Sequence, residues 1–226
     1  METKGPPTDL SREPLHLLSV GPFGGAVARY LRALRVDICE THVVNNSILQ
    51  PDTWPITRMN ILAAWRPVPK LCELLDEHSH RQRRPFIPLV MDSTALRLGP
   101  IVVPGGGSCW ECWMRRSRQH ENWPKERAAL LQYYATHPDT GPKGYIEPFA
   151  MMGAARLAQT IDALDLSNAT PGQIWEIDVM TRRITVGKVI GVHGCSRCGL
   201  ARPDSTRSVA QMQQELHYLW SDLTRK

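Results

Sequence analysis

The sequence contains no apolar run approaching the roughly 20 residues that cross a bilayer, so no helical membrane span and no membrane partner are expected. Its start, Met1 to Pro14, is polar and proline-bearing and lacks the apolar core of a secretory signal, which points to a cytoplasmic protein. Aromatic residues are few, at 7%, and no long block of one charge sign occurs. The balance of 27 Lys+Arg against 22 Asp+Glu leaves a mild +5. Nucleic-acid binders usually show a basic stripe interleaved with aromatics or carried on a recognition helix. Here the one dense cluster, Arg81-Gln82-Arg83-Arg84, reads as a solvated helix end, so no nucleic-acid partner is expected. A weak attraction to an acidic peptide fits the same charge. Internal repeats and long linkers are also missing. What is present, 42% hydrophobic and 22% charged residues over 226 positions, is ordinary globular composition with enough chain to bury a real core.

Six cysteines are present, and four of them form two Cys-x-x-Cys knuckles, Cys109/Cys112 and Cys195/Cys198. Cytosolic thiols are kept reduced, which argues against a disulfide framework. A thioredoxin-type redox motif would be single, whereas paired knuckles match a tetrahedral four-thiolate zinc site. Gly105-Gly106-Gly107-Ser108 leads into the first knuckle, and Gly194 and Gly199 bracket the second, giving both the turns such a site needs. Four thiolates leave no open coordination position, so the ion would be structural. Cys39 and Cys72 lie in apolar stretches and read as small buried hydrophobes.

Along the chain, Leu15–Val20 reads as a buried strand, followed by the turn Gly21-Pro22-Phe23-Gly24-Gly25 and a helix over Ala26–Leu34. A second strand, Val36–Cys39, ends at Glu40, about twenty residues after Gly21, as in dinucleotide-binding units. The turn is not G-x-G-x-x-G, and Pro22 removes an amide that could cradle phosphate. The pattern therefore supports a Rossmann-like α/β fold more than it supports nucleotide binding through Gly21, Gly24, Gly25 and Glu40. Further strands are expected at Met59–Trp65, Phe86–Val90 and Ala95–Val103, and helices at Pro69–His80, Cys109–His120 and Lys125–Ala135. A longer helix carries Phe149, Met152, Ala155, Leu157, Ala158, Ile161 and Leu164 mostly on one face. A hairpin of Ile174–Val179 and Ile184–Val192 then delivers the chain to the second knuckle. Three segments follow: a flexible N-terminal stretch 1–14, a zinc-knuckle domain 15–204, and a C-terminal helix 205–226 with apolar Val209, Met212, Leu216, Leu219 and Leu223. The histidines His78 and His80 read as solvated, and His42 faces no evident nucleophile. Trp110, Trp113 and Trp123 read as packing around the first knuckle, with a peptide groove as the sharper alternative.

Leu98-Gly99-Pro100-Ile101-Val102-Val103-Pro104-Gly105, the Ser108-Cys109-Trp110-Glu111-Cys112 knuckle with Arg115-Arg116, Ile174-Trp175-Glu176-Ile177-Asp178-Val179-Met180-Thr181 and the closing Gly194-Cys195-Ser196-Arg197-Cys198-Gly199 carry a family resemblance. Over residues 15–200 the chain resembles the ThiF-like (ubiquitin-activating-enzyme-like) cyclodehydratase partners and leader-peptide-binding proteins of azole/azoline bacteriocin and thiopeptide biosynthesis. The resemblance implies an α/β fold of the ubiquitin-activating type, with zinc on Cys109, Cys112, Cys195 and Cys198. It implies a non-catalytic scaffold that binds the leader of a ribosomal precursor peptide and presents its core to an ATP-using YcaO-type cyclodehydratase. A further reading, from the C-terminal helix and not from the resemblance, is a homodimeric scaffold whose terminal helix docks the modifying enzyme. Tethering the leader makes modification of the core nearly intramolecular. Two departures stand out. Family members commonly carry an N-terminal winged-helix clamp that adds the leader as a strand, and only about 14 residues precede the first strand here. Of the family's adenylation residues this chain keeps Glu40, Asn45/Asn46 and Gln50; His42 replaces an expected aspartate and no arginine precedes Gln50. ATP is therefore not expected as a cofactor. The alternative reading is an active ATP-dependent adenylating enzyme acting on a peptide carboxyl or amide.

Overall fold

The computed structural model describes residues 13–43, 51–142 and 144–199, together with Met212, Gln213, Leu216 and His217. Strands β1 (Leu15–Val20) and β3 (Met59–Ala64) are buried on both faces throughout, which is why each reads as a continuous apolar run instead of an alternation. They pair in parallel with each other, β1 also with β2 (Ile38–Val43), and β3 with β4 (Phe86–Asp92). Strands β5 (Ala95–Leu98), β6 (Gln173–Asp178) and β7 (Ile184–Lys188) continue antiparallel, giving one seven-stranded sheet in the order β2-β1-β3-β4-β5-β6-β7.

Helices cover the two faces. On one, α1 (Gly21–Leu34) and α5 (Glu147–Asp165) pack on Leu15, Leu17, Ile61, Ile87 and Leu89. On the other, α2 (Pro69–Gln82) and α3 (Trp110–Gln119) cover Leu18, Val20, Leu62, Phe86 and Val90. Helix α4 (Pro124–Thr136) buries no residue; the Arg127 guanidinium anchors it to the Asp92 carboxylate at the end of β4, with one contact of 2.8 Å.

The elements follow the expected order, with five local differences. Gly21–Gly25, expected as a turn ahead of a helix over Ala26–Leu34, already belongs to α1, which starts directly after Val20 with Pro22 in its first turn, where a missing amide is tolerated. The second strand begins at Ile38 and runs to Val43, because its register against β1 carries it past Glu40 to Val20. The expected strand Ala95–Val103 stops at Leu98, where Gly99 (φ 104) turns the chain and Val102 bridges back to Phe86. Strand β7 stops at Lys188, ahead of the loop into the knuckle. Helix α5 buries its small residues Ala150, Gly153 and Ala154, and leaves Met152 and Ala155 outward. A Cβ at Gly153 would come within 2.8 Å of Leu89, so the close approach of α5 to the sheet selects the small face over the larger one. The N-terminal segment up to residue 12 and most of the helix expected over 205–226 lie outside the described residues; Met212, Gln213, Leu216 and His217 are helical. No helix of the described residues is long and apolar enough to cross a membrane.

Helix α5 ends in Asp162 and Asp165, acidic groups at the negative end of a helix dipole. Arg35 and Arg58 answer them. Arg58, 8% exposed in its side chain, donates to Asp37 at 2.6 Å and to Asp165, and Arg35 pairs with Asp37 and Asp162. Partial burial pushes the Asp37 carboxyl up, but hydrogen bonds from Arg35 and Arg58 outweigh it and hold the group below its ordinary value. A carboxylate depressed in this way adds stability that is fully present above about pH 4, its unfolded value, and lost as pH falls through the folded value. Urea midpoints taken at pH 5 and pH 3 should therefore fall less for Asp37→Asn than for the unaltered chain. An identical fall in both would show that this carboxylate is not linked to folding.

Candidate metal centre

The first knuckle sits where α3 begins. Cys109 is the extended residue before the helix and Cys112 lies in its first turn, so helical geometry turns both sulfurs to one side. The second knuckle follows the loop after β7, where Gly199 N–H donates to Cys195 O at 2.7 Å. A Cβ at Gly199 would lie 2.4 Å from that same carbonyl oxygen, so this tight turn requires glycine. The two segments meet although 86 residues separate Cys109 from Cys195.

All four sulfurs lie within 4.8 Å of one another and all four cysteines are buried. Individual Sγ separations are 3.7 Å (Cys109–Cys112), 3.7 Å (Cys109–Cys195) and 3.5 Å (Cys112–Cys198). A tetrahedral ion with bonds of about 2.3 Å to sulfur spaces its ligands about 3.8 Å apart. The spacing thus fits one enclosed tetrahedral cation and is far too long for disulfides. The group could hold a metal ion, and the chemistry of four sulfurs selects a thiophilic one.

Protons alone suit this cluster poorly. The Cys112 thiol is drawn well below its ordinary value by hydrogen bonds from Cys109 and Cys198, and the Val192 amide adds to this from 3.3 Å. Cys109 is pushed up, first by its contact with Cys112. A divalent ion would stabilise all four thiolates together.

Asp76, which the sequence did not single out, ties the knuckles to the body. It lies on α2 with no exposed surface, and its two oxygens reach one knuckle each. Oδ1 accepts from the Trp110 amide at 3.1 Å, and Oδ2 accepts from Arg197 at 2.8 Å. Burial pushes the Asp76 carboxyl up against the pull of Arg197. Its only sequence signal is an acidic residue on the face that also carries Cys72 and Leu75.

The glycine turn takes a different form from a nucleotide cradle. Gly21 opens α1 at φ 70, and a Cβ there would lie 2.3 Å from the Trp65 indole. The far edge of the same indole meets Gly141, where a Cβ would lie 2.7 Å away. Trp65 therefore fills the space directly over the turn. Gly24 lets α1 approach the sheet, its missing Cβ standing 2.4 Å from Ala63 O, while Gly25 faces open space. Glu40 pairs in register with Leu17, three residues before Val20, and is therefore about 10 Å short of the turn. It is held there by an ion pair with Arg32 and by the Ser19 hydroxyl, which donates to it at 2.6 Å. Ser19 also lies 3.0 Å from His42 Nδ1, but it has no exposed surface and cannot meet a substrate. Asn45, Asn46 and Gln50 lie outside the described residues.

The remaining candidates divide. His80 is bonded to the Asp76 carbonyl oxygen at 2.8 Å, and His78 lies edge-on to Trp54, so both are partly buried where solvated positions were expected. Cys72 is buried as expected, and burial pushes its thiol up to about 12. Cys39 is only half-buried because β2 is an edge strand. Trp110 packs in the core, Trp113 touches the cysteine cluster, and Trp123 is 70% exposed. Trp110 and Trp113 line an apolar cleft of about 280 Å³ with Met114, Cys72 and Val90. The Arg97 guanidinium lies on Trp113, 4.2 Å from its ring centre.

No protein-family model matches the chain, and no curated protein matches it. Among solved structures it is similar to a heterocyclase in complex with substrate and cofactor, at 16% identity and TM-score 0.58, over 83% of this chain and 26% of that one. The heterocyclase TruD gives the same identity and TM-score over 83% of this chain and 27% of that one. E. coli MccB is similar at 16% identity and TM-score 0.58, over 84% of this chain and 66% of that one. The microcin C7 biosynthetic enzyme MccB in complex with N-formylated MccA is similar at TM-score 0.61 and 16% identity, over 84% of this chain and 68% of that one. The chain thus spans about a quarter of the heterocyclase chains and about two thirds of MccB. It has the ThiF-like α/β fold expected from the resemblance, with the four cysteines drawn together.

Proposed function

We propose that this chain is a non-catalytic scaffold or adaptor of ribosomal peptide natural-product biosynthesis, of the azole/azoline bacteriocin or thiopeptide kind. In this role it binds the precursor leader peptide, presents the peptide to a YcaO-type cyclodehydratase, or does both, while Cys109, Cys112, Cys195 and Cys198 hold a structural zinc. The fold shared with TruD and with MccB, the latter solved with its peptide MccA, supports the pathway class. The observation that carries the non-catalytic part is the Trp65 indole lying on Gly21. Phosphoryl chemistry needs amides and cations aimed at developing charge, and here an apolar ring occupies that approach. A four-thiolate ion has no free position for substrate, so it supplies rigidity and no reaction step.

Two measurements test this reading. ATP–pyrophosphate exchange by the purified chain with candidate peptides should stay at background; robust exchange would establish the adenylating alternative. Mixed with a YcaO-type cyclodehydratase and its precursor peptide, the chain should accelerate loss of water from the precursor's Cys, Ser or Thr residues, followed by mass spectrometry. Equal rates with and without the chain would remove the scaffold role.

A further inference from the structure

Strand β7 ends the sheet, and among the described residues nothing pairs with its outer side. The flanking bonds Asp178 N–H to Arg183 O and Val189 N–H to Gly172 O set the alternation of its ladder with β6. In an antiparallel pair, bonded and non-bonded positions alternate. Thr185 and Gly187 therefore turn their backbone groups inward to β6, while Ile184, Val186 and Lys188 present three amides and three carbonyls outward. Ile184 and Val186 are 54% and 58% exposed. They lie in register with Ile177 and Trp175, so their side chains extend the apolar face of the sheet past its last helix-covered strand.

Charge distinguishes this edge further. Arg182, Arg183 and Lys188 stand exposed along it, and no ion pair engages any of the three among the described residues. The carboxylates of the neighbouring strand are already committed, Glu176 to Arg97 at 3.5 Å and Asp178 to the amides of Met180 and Thr181. Two copies of this basic edge repel each other, which guards against self-pairing. An acidic strand meets the opposite field.

We propose that the outer edge of β7 captures an extended acidic peptide segment as an additional strand, with backbone pairing to Ile184, Val186 and Lys188. Its apolar side chains lie over Ile184 and Val186, with Lys188 on that same face at the end of the row, and its carboxylates, on the alternate face, are drawn to Arg183 and to Arg182 at the neighbouring turn. Main-chain bonds supply affinity in this mode and the side chains supply selection. The identification of that segment with a biosynthetic precursor rests on the function proposed above; the chemistry of the edge does not.

The probe is a fluorescein-labelled peptide of alternating Glu and Val, followed by anisotropy. It should bind, weaken as salt rises, and lose its binding when alternate amides are N-methylated or when Glu is replaced by Lys. Val186→Pro deletes one outward amide and spares the β6 ladder, since proline is tolerated on an edge; binding should weaken by about tenfold. Arg182→Glu with Arg183→Glu should weaken it similarly and flatten its salt dependence. In the unaltered chain, peptide should slow amide exchange at Ile184, Val186 and Lys188, a readout that holds even if the proline variant folds poorly. Undiminished binding of the N-methylated peptide, or unprotected amides at those three residues, overturns the proposal. A dimer of this chain abolished by Val186→Pro also overturns it, in favour of self-pairing. Reconstituted ring formation that Val186→Pro leaves unchanged removes the edge from the pathway and leaves the scaffold reading standing. Peptide capture without any effect on ring formation does the reverse.

Discussion

Stripping the metal from the cysteine cluster is expected to lower the thermal midpoint by roughly 7–21 °C. Structural zinc contributes about 10–16 kcal/mol in small zinc-dependent domains. This chain has a separate core of two helix-covered sheet faces, so only part of that energy reaches global stability. If about a third does, at 2–4 °C per kcal/mol for a domain of this size, the range above follows. Elemental analysis should find close to one zinc per chain in the unaltered protein and little in Cys112→Ser. Cys39→Ser, on the β2 edge away from the cluster, should change neither quantity. A chain that purifies metal-free, or melts at the same temperature after complete chelation, would contradict a structural ion.

Asp76→Ala is expected to cost about 3–5 kcal/mol, the range for breaking a buried ion pair, and to weaken metal retention by about 10–100-fold, as losing an outer-shell partner does. The substitution leaves Arg197 and the Trp110 amide without their carboxylate, and both belong to knuckle segments. Arg197→Ala should cost less, because its side chain is 16% exposed and the remaining carboxylate keeps the Trp110 and His80 contacts. A double-mutant cycle in urea, with zinc competition by a chelator, measures the coupling. Contacting charged pairs couple by about 0.5–3 kcal/mol. Additive costs, or metal retention unchanged in Asp76→Ala, would show that Asp76 stabilises α2 without supporting the centre.

How much of this was legible from the residues depends on how local each feature is. The runs at Leu15–Val20 and Met59–Trp65 are legible as strands because each is nearly continuously apolar, which follows from the covering of both sheet faces. On α5 the periodicity points to a face carrying Met152 and Ala155, since hydrophobicity alone favours a methionine over the glycine at 153. The contact with Leu89 favours Ala150, Gly153 and Ala154. Glu40 sat at a plausible spacing after Gly21, yet the register of β2 on β1 moved it down the strand. Asp76 and Trp65 carried no motif at all. Their roles depend on partners distant in sequence, Arg197 for the first and Gly21 with Gly141 for the second.

From its sequence alone, then, the chain could be assigned an α/β fold, a pair of turn-flanked cysteine knuckles and a glycine turn short of a phosphate motif. Each rests on residues within a few positions of one another, where side-chain period and backbone conformation are set. Tertiary structure decided that the knuckles converge at tetrahedral spacing, that an indole covers the glycine turn, and that β7 ends the sheet with its amides turned outward. These are consequences of strand register and close packing between distant segments, which local periodicity does not encode.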